Sequence, residues 1–152
     1  MGKQEIGMHP KLKNILALFA GLAIGSIVNM GLINMSSSAI PPPLGADGTT
    51  MEGLKASMHL FEPKHFLFPF LAHALGTLVG AAVTAFIAAC RKFHLAMLIG
   101  VIFLAGGISS VLMLPSPLWF NVVDLAGAYL PMAWIGWKLA TLKDRERAVS
   151  TT

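Results

Sequence analysis

Charged side chains are scarce in this chain. They make up 12% of its 152 residues, against about 25% in soluble globular proteins. Hydrophobic residues make up 55%, so the polar side chains are too few to cover a compact soluble body. The composition therefore excludes a water-soluble enzyme or binding domain and indicates one domain, residues 1–152, embedded in a lipid bilayer.

Cysteine is also scarce, and the common catalytic motifs are missing. Cys90 is the single cysteine, so no disulfide can form within the chain. The sequence has no Gly-x-Ser-x-Gly elbow, no P-loop, no His-Glu-x-x-His and no Cys-x-x-Cys-His motif. No cofactor is therefore expected, and a non-enzymatic role is favoured.

The basic residues follow a pattern typical of membrane proteins. A patch in which basic and aromatic residues alternate, as nucleic-acid binding requires, is absent, so no nucleic-acid partner is expected. Lys55 and Lys64 lie in one set of connecting segments. The other nine of the eleven Lys and Arg residues flank the opposite ends of the apolar stretches: Lys3, Lys11, Lys13, Arg91, Lys92, Lys138, Lys143, Arg145 and Arg147. The positive-inside bias therefore predicts that both termini are cytoplasmic.

Four apolar stretches are long enough to cross about 30 Å of hydrocarbon at 1.5 Å per residue. They are residues 14–36, 64–90, 94–114 and 118–142. The first exceeds the roughly 7–15 apolar residues of a signal peptide and is predicted to be a retained span. We expect an all-α polytopic protein with four transmembrane helices, located in a bacterial inner membrane.

The segment between the first two spans, residues 37–62, predicts an external loop followed by a short helix. Three consecutive prolines, Pro41 to Pro43, interrupt helical structure, and Thr49 with Glu52 fits a capping box. One face of the following helix is apolar and carries Met51, Leu54, Met58 and Phe61. This pattern favours a helix lying in the membrane interface, with a surface helix packed on the bundle as the alternative.

Small residues at four-residue spacing predict close packing between helices. Gly21 and Gly25 form one such pair in the first span, and Gly76 and Gly80 form another in the second. Two glycine-rich faces exceed the needs of one small bundle. We therefore expect, besides the lipid bilayer, a second copy of the chain or another membrane subunit as a partner.

Two ionisable side chains, His73 and Asp124, lie well inside the predicted spans. A carboxylate at this depth costs about 2.5–3.5 kcal/mol on insertion scales, so we expect the two to face the bundle and meet directly or through water. Asn29, Asn121, Ser109 and Ser110 are predicted to lie in the same layer. A functional site and a structural clasp both fit, with slightly more weight on the clasp.

His59, Glu62 and His65 form a weaker candidate for a metal site. Imidazole and carboxylate groups bind zinc and other divalent ions. Their spacing does not place all three on one helical face, and structural zinc sites need four organised ligands. Solvated side chains at the membrane interface are the favoured interpretation.

Three functions are compatible with this pattern. The first, slightly ahead, is transport through an outward-facing intramembrane polar site, linked to protons or ions. The second is a non-catalytic subunit or scaffold that docks a partner through the proline-rich loop. The third is a membrane enzyme that binds a lipid or quinone with His73 and Asp124 as its acid–base pair, which requires a lateral opening beside the pair.

Overall fold

The computed structural model describes the backbone of residues 8–150 and the side chains of residues 8–142. It contains six α-helices: α1 (Pro10–Ala39), α2 (Met51–Ser57), α3 (Leu67–Ile87), α4 (Lys92–Met113), α5 (Leu118–Gly127) and α6 (Leu130–Ser150). Two 3₁₀ turns, Met58–Leu60 and Pro63–Phe66, connect α2 to α3. No strand occurs in the described backbone, so the all-α class is confirmed. Four cations of the orientation argument, Lys3, Lys143, Arg145 and Arg147, lie outside the described side chains.

Four helical segments are long and apolar enough to cross a membrane: Pro10–Ala39, Pro63–Ile87, Lys92–Met113 and Leu118–Leu142. Helix α1 begins earlier than predicted because His9 caps it: His9 Nδ1 accepts a hydrogen bond from the Lys11 amide at 3.3 Å. Helix α3 ends at Ile87, because Ala88 leaves helical geometry with ψ 137°. Arg91, in a left-handed conformation with φ 54°, then leads the chain into α4. The chain therefore has the length and composition of a four-span membrane protein.

The α1–α3 interface brings two backbones into close contact through glycine. A Cβ atom on Gly25 would lie 2.7 Å from the Gly76 carbonyl oxygen, and one on Gly80 would lie 2.8 Å from that of Gly21. The predicted glycine pairs thus pack against each other within one chain. They do not by themselves require a second copy of the chain, and oligomerisation stays a prediction.

Polar contacts hold one end of this interface, beyond the Gly21 and Gly80 contact. The Thr84 hydroxyl donates to the Ala17 carbonyl oxygen at 3.2 Å in a fully buried position. Near the α3–α4 turn, the Asn14 side-chain oxygen accepts from the Ala89 amide at 2.9 Å. The end of the bundle that contains Asn14 and Cys90 is called the Cys90 end below, and the opposite end is called the loop end.

The Cys90 end is filled by small side chains. Five residues of its core have no exposed surface: Ala81, Ala85, Ala96, Ile99 and Ala133. Helix α6 approaches α3 closely here, because a Cβ on Gly136 would meet the Leu78 carbonyl oxygen. Helices α3, α4 and α6 therefore pack directly against one another in this half of the bundle.

The fourth span is not one continuous helix. Helix α5 ends at Gly127 and α6 begins at Leu130, with Ala128 and Tyr129 bent between them. Pro131 lies in the first turn of α6, where no amide hydrogen is needed for a helical bond. The interruption of the span therefore falls just before Pro131.

At the loop end, α2 is capped by Thr50 rather than by Thr49. The Thr50 hydroxyl accepts from the Gly53 amide at 2.9 Å. Thr49 donates both its hydroxyl and its amide to an Asp47 carboxylate oxygen, at 2.6 Å and 2.8 Å. These bonds hold the pKa of Asp47 below its ordinary value. The capping box predicted from Thr49 and Glu52 is thus wrong by one residue.

The apolar face that starts in α2 packs against the bundle. Met58, Phe66 and Phe120 form a buried cluster, to which Leu54, Phe61, Phe70 and Leu114 are added. Met51, at the start of α2, remains 43% exposed. The segment that contains α2 therefore covers part of the loop end of the bundle.

Replacing Gly25 with leucine should disrupt the α1–α3 interface, because the new side chain meets backbone atoms of α3 that cannot move aside. Overpacking costs about 1–3 kcal/mol, and each kcal/mol lowers the unfolding midpoint of a chain this size by about 2–4 °C. Thermal unfolding of the purified protein in detergent measures the effect. Gly31→Leu is the matched control on the same helix, since a Cβ there meets nothing within 4 Å. Equal midpoints for the two variants would contradict the interface.

Candidate functional site

Three side chains meet at the centre of the loop-end half: His73, Asp124 and Tyr129, called the polar trio below. His73 Nδ1 lies 2.8 Å from Asp124 Oδ1 and 2.9 Å from Oδ2. The Tyr129 hydroxyl donates to Asp124 Oδ2 at 3.0 Å. Asp124 is 2% exposed and Tyr129 1%. The predicted approach of His73 and Asp124 is confirmed, and the contact is direct.

The break in the fourth span explains why Tyr129 belongs to this group. Side chains five residues apart on a continuous helix lie on different faces, so Tyr129 would not reach Asp124 there. The bend at Ala128 and Tyr129 brings the Tyr129 hydroxyl within hydrogen-bond distance of the Asp124 carboxylate. The site predicted from the sequence did not include Tyr129. The signal available for it was that the chain's only tyrosine lies two residues before a proline, Pro131, in a predicted span.

Helix α4 makes room for the tyrosine with a glycine. A Cβ atom on Gly107 would collide with the Tyr129 hydroxyl and ring. On the other side, the rings of His73 and Tyr129 stack, with centroids 5.7 Å apart and an interplanar angle of 29°. The Thr77 hydroxyl donates to the His73 carbonyl oxygen at 2.7 Å one turn further along α3. The imidazole and phenol therefore have defined positions.

The hydrogen bonds of the polar trio determine which nitrogen of His73 carries a hydrogen. Because Asp124 accepts from both neighbours, Nδ1 of His73 carries a hydrogen and donates it. Nε2, on the opposite side of the ring, has no hydrogen-bond partner among the residues that the structure describes. With a neutral imidazole the trio is negative and Nε2 is an acceptor. With an imidazolium the trio has no net charge and Nε2 is a donor.

Two cavities meet at His73. The first, called the loop-end cavity, has a volume of about 720 Å³. It has His73 and Asp124 in its wall, with Asn34, Asp47, His65, Phe66, Phe120 and Asn121 among its other lining residues. The second, called the α1–α4 cleft, has a volume of about 320 Å³, and Ser26, Asn29, Met30, Ile102, Phe103 and Gly106 are among the residues that line it with His73 and Tyr129. One imidazole therefore borders two separate spaces.

The remaining predicted polar residues divide between these spaces. Asn121 lines the loop-end cavity and is held by Ser116, whose hydroxyl donates to Asn121 Oδ1 at 2.6 Å. Asn29 lines only the cleft, whereas Ser110 lines both spaces. Ser109 is exposed, bonds back to the Ala105 carbonyl oxygen at 2.9 Å and lines neither. The predicted polar residues therefore do not form a single layer: some line the loop-end cavity, some line the cleft, and Ser109 lines neither.

His59, Glu62 and His65 are not arranged as metal ligands. His65 is 8% exposed; its Nδ1 accepts from the Glu62 amide at 3.0 Å, so its Nε2 donates to the Pro41 carbonyl oxygen at 3.2 Å. The Glu62 carboxylate pairs with Lys64 at 2.9 Å, which lowers its pKa. Within residues 8–142 no group of three His, Cys, Asp or Glu side chains is placed to hold a metal. His65 instead fastens the proline-rich loop to the start of the second span.

Replacing Gly107 with alanine should displace Tyr129 from Asp124, because the added methyl group occupies the position of the phenol. Tyr129 is the only tyrosine, so ¹³C-tyrosine labelling of the protein in micelles gives one ring spin system to follow by NMR. We expect a clear shift of its resonances and a lower unfolding midpoint. Gly106→Ala is the control, since a Cβ there meets nothing within 4 Å. An unmoved Tyr129 signal in Gly107→Ala would contradict the described packing.

Comparison with known proteins gives no relative from which the role of this site can be transferred. No protein-family model, no curated protein and no solved structure matches the chain. The chemistry available at the site is that of its own residues: a buried carboxylate, an imidazole with one free nitrogen, and a phenol that donates to the carboxylate.

Proposed function

We propose that the protein binds a small organic cation in the loop-end cavity and exchanges it for the proton held by the His73–Asp124 pair. The observation that carries this proposal is the charge of the cavity wall. Two carboxylates, Asp47 and Asp124, line it, and no Lys or Arg is among its described lining residues. A cavity lined by charge of one sign concentrates ligands of the opposite sign.

The other lining residues suit an organic rather than an inorganic cation. Phe61, Phe66 and Phe120 present aromatic rings to the cavity, and such rings attract cations through their faces. The volume of about 720 Å³ lies in the range of small-molecule sites. No cluster of oxygen or nitrogen ligands for a bare metal ion competes with this interpretation in the described part of the chain.

Proton exchange follows from the position of His73. A cation seated beside the imidazolium disfavours its charged form, because like charges in a medium of low dielectric repel. Loss of the Nε2 proton leaves Asp124 as a full negative charge that compensates the bound cation. Each cation should therefore displace about one proton, which is the requirement for coupled exchange.

The proposed arrangement in the membrane places the loop end outside and both termini in the cytoplasm of a bacterial cell. It is supported by the described cations: Lys11, Lys13, Arg91, Lys92 and Lys138 belong to the Cys90 end, whereas Lys55 and Lys64 belong to the loop end. Helix α2 would lie at the outer interface. A full transport cycle also requires a second arrangement, in which the packed Cys90 end opens.

A partner in the membrane is part of the same proposal. A four-helix chain encloses little volume, so a homo-oligomer or another membrane subunit would complete the pathway. The outer face of α1 offers large exposed side chains, with Phe19 68% and Ile27 70% exposed, and lipid covers these equally well. The role of a non-catalytic scaffold stays an alternative prediction.

Asp124→Asn should abolish the proton coupling, because a neutral amide cannot compensate the bound cation. The measurement is proton movement, followed with an entrapped pH dye, when tetraphenylphosphonium or ethidium is added to proteoliposomes. We expect at least a tenfold loss in this variant and in His73→Gln. Ser109→Ala, whose side chain lines neither cavity, should retain wild-type rates.

Release of protons on cation binding in weakly buffered detergent gives a second readout that needs no transport cycle. About one proton per bound cation is expected for the wild type and none for His73→Gln. The exchange proposal is overturned if the wild type releases no proton, or if Asp124→Asn and His73→Gln behave as the wild type.

The single cysteine tests the orientation. Cys90 is exposed in the α3–α4 turn, so a membrane-impermeant maleimide should label it in disrupted membranes but not in intact cells. Leu44→Cys on a Cys90→Ser background is the matched outer position, because Leu44 is fully exposed in the proline-rich loop. It should be labelled in intact cells, and the reverse pattern would invert the topology.

A further inference from the structure

We propose that the α1–α4 cleft is a second binding site, which takes an uncharged, membrane-dissolved amphiphile by its carbonyl or hydroxyl head. The cleft differs from the loop-end cavity in its walls, its opening and the charge of its lining. The inference shares His73 with the proposed cation exchange, rests otherwise on observations of its own and goes beyond that exchange.

The cleft opens on the side of the bundle. Its rim residues are exposed, including Ser26, Met30 at 57% and Ile102 at 42%. Ser26 lies about 24 Å from the Pro10 end of α1 and about 20 Å from its Ala39 end, by the rise of 1.5 Å per residue. The rim is therefore near the middle of a membrane span, where the surrounding medium is hydrocarbon. A ligand that enters here comes from the bilayer.

Three side chains with an unpaired polar atom line this opening. The side chains of Ser26 and Asn29, which share one face of α1 at i and i+3, make no hydrogen bond with any described residue. Nε2 of His73 is equally free. Unpaired polar groups in hydrocarbon cost several kcal/mol each, so this set favours an occupant that supplies hydrogen bonds.

The lining selects an uncharged head. Among the described residues of the cleft there is no Asp, Glu, Lys or Arg, and His73 is the only ionisable side chain besides the buried phenol of Tyr129. A fixed charge would lose its hydration here without gaining a counter-ion. Nε2 accepts when the imidazole is neutral and donates when it is protonated. It can therefore bond either a hydroxyl or a carbonyl group.

The shape also fits a head with an attached chain. The volume of about 320 Å³ is at the lower end of small-molecule sites, enough for a ring or a glycerol group. Gly106 leaves the α4 wall flat, since a Cβ there meets nothing within 4 Å. An apolar tail would leave past Met30 and Ile102 into the lipid.

The test uses the delipidated full chain and two neutral ligands, decylubiquinone for the carbonyl head and 1-oleoylglycerol for the hydroxyl head. Binding is measured by native mass spectrometry, with oleate as the charged comparison. We expect one bound molecule of at least one neutral ligand and weaker binding of oleate. Binding of decylubiquinone alone assigns a carbonyl head, and binding of 1-oleoylglycerol alone assigns a hydroxyl head.

Gly106→Leu should fill the cleft and weaken this binding at least tenfold without disturbing the helix. Gly31→Leu, an equally open glycine outside the cleft, should stay within about twofold of the wild type. Asn29→Ala should weaken binding roughly threefold to tenfold, the effect of one lost hydrogen bond.

The second site is overturned if neither neutral ligand binds, if Gly106→Leu binds as well as Gly31→Leu, or if oleate binds most tightly. Each of these outcomes leaves the proton release by organic cations unaffected, so failure of the cleft and failure of the cation site are distinguishable.

Discussion

The burial of one carboxylate governs the loop-end half of this protein. Asp124 is 2% exposed within an apolar bundle, and a carboxylate in that environment persists only with hydrogen bonds and a compensating charge. His73 supplies the possible charge from α3, and Tyr129 supplies a second donor from the residue before α6. The need of Asp124 for hydrogen-bond donors therefore holds α3, α5 and the start of α6 together at this position.

Small residues decide the rest of the architecture. Because Gly21 and Gly25 bring α1 directly against the backbone of α3, α1 is drawn towards α3 at its own interface rather than towards α4. The gap left between α1 and α4 becomes the cleft beside His73. Close packing on one side of α1 thus produces the space on its other side.

The composition was enough to predict an all-helical membrane protein. The small number of ionisable residues inside the spans was enough to predict the contact between His73 and Asp124. Because His73 and Asp124 are the strongly polar ionisable residues that lie well inside the predicted spans, the cost of leaving either alone makes their contact a sound prediction. The glycine pairs were likewise predictable as packing positions, although the sequence did not tell that they contact each other rather than another chain.

The predictions that were wrong concern which face of a helix points inward and which of two neighbouring residues makes a local hydrogen bond. A helix that is apolar on all sides carries little information about which face points inward, so Asn29 and Ser109 were placed beside Asp124 although neither lines its cavity. Tyr129 was missed because its contact exists only if the helix breaks. The cap of α2 was misplaced by one residue because Thr49 and Thr50 are adjacent, both donate to Asp47, and Thr50 is the one that accepts from the Gly53 amide.

The interruption at Ala128 and Tyr129 has a mechanical consequence. It divides the fourth span into two short rods, of which α6 is locked to α3 through Gly136, while α5 carries Asp124 and borders the loop-end cavity. A tilt of α5 about this joint would move the carboxylate of Asp124 and leave the alanine-filled core at the Cys90 end in place. The position of the charge in the site would then depend on the angle between α5 and α6.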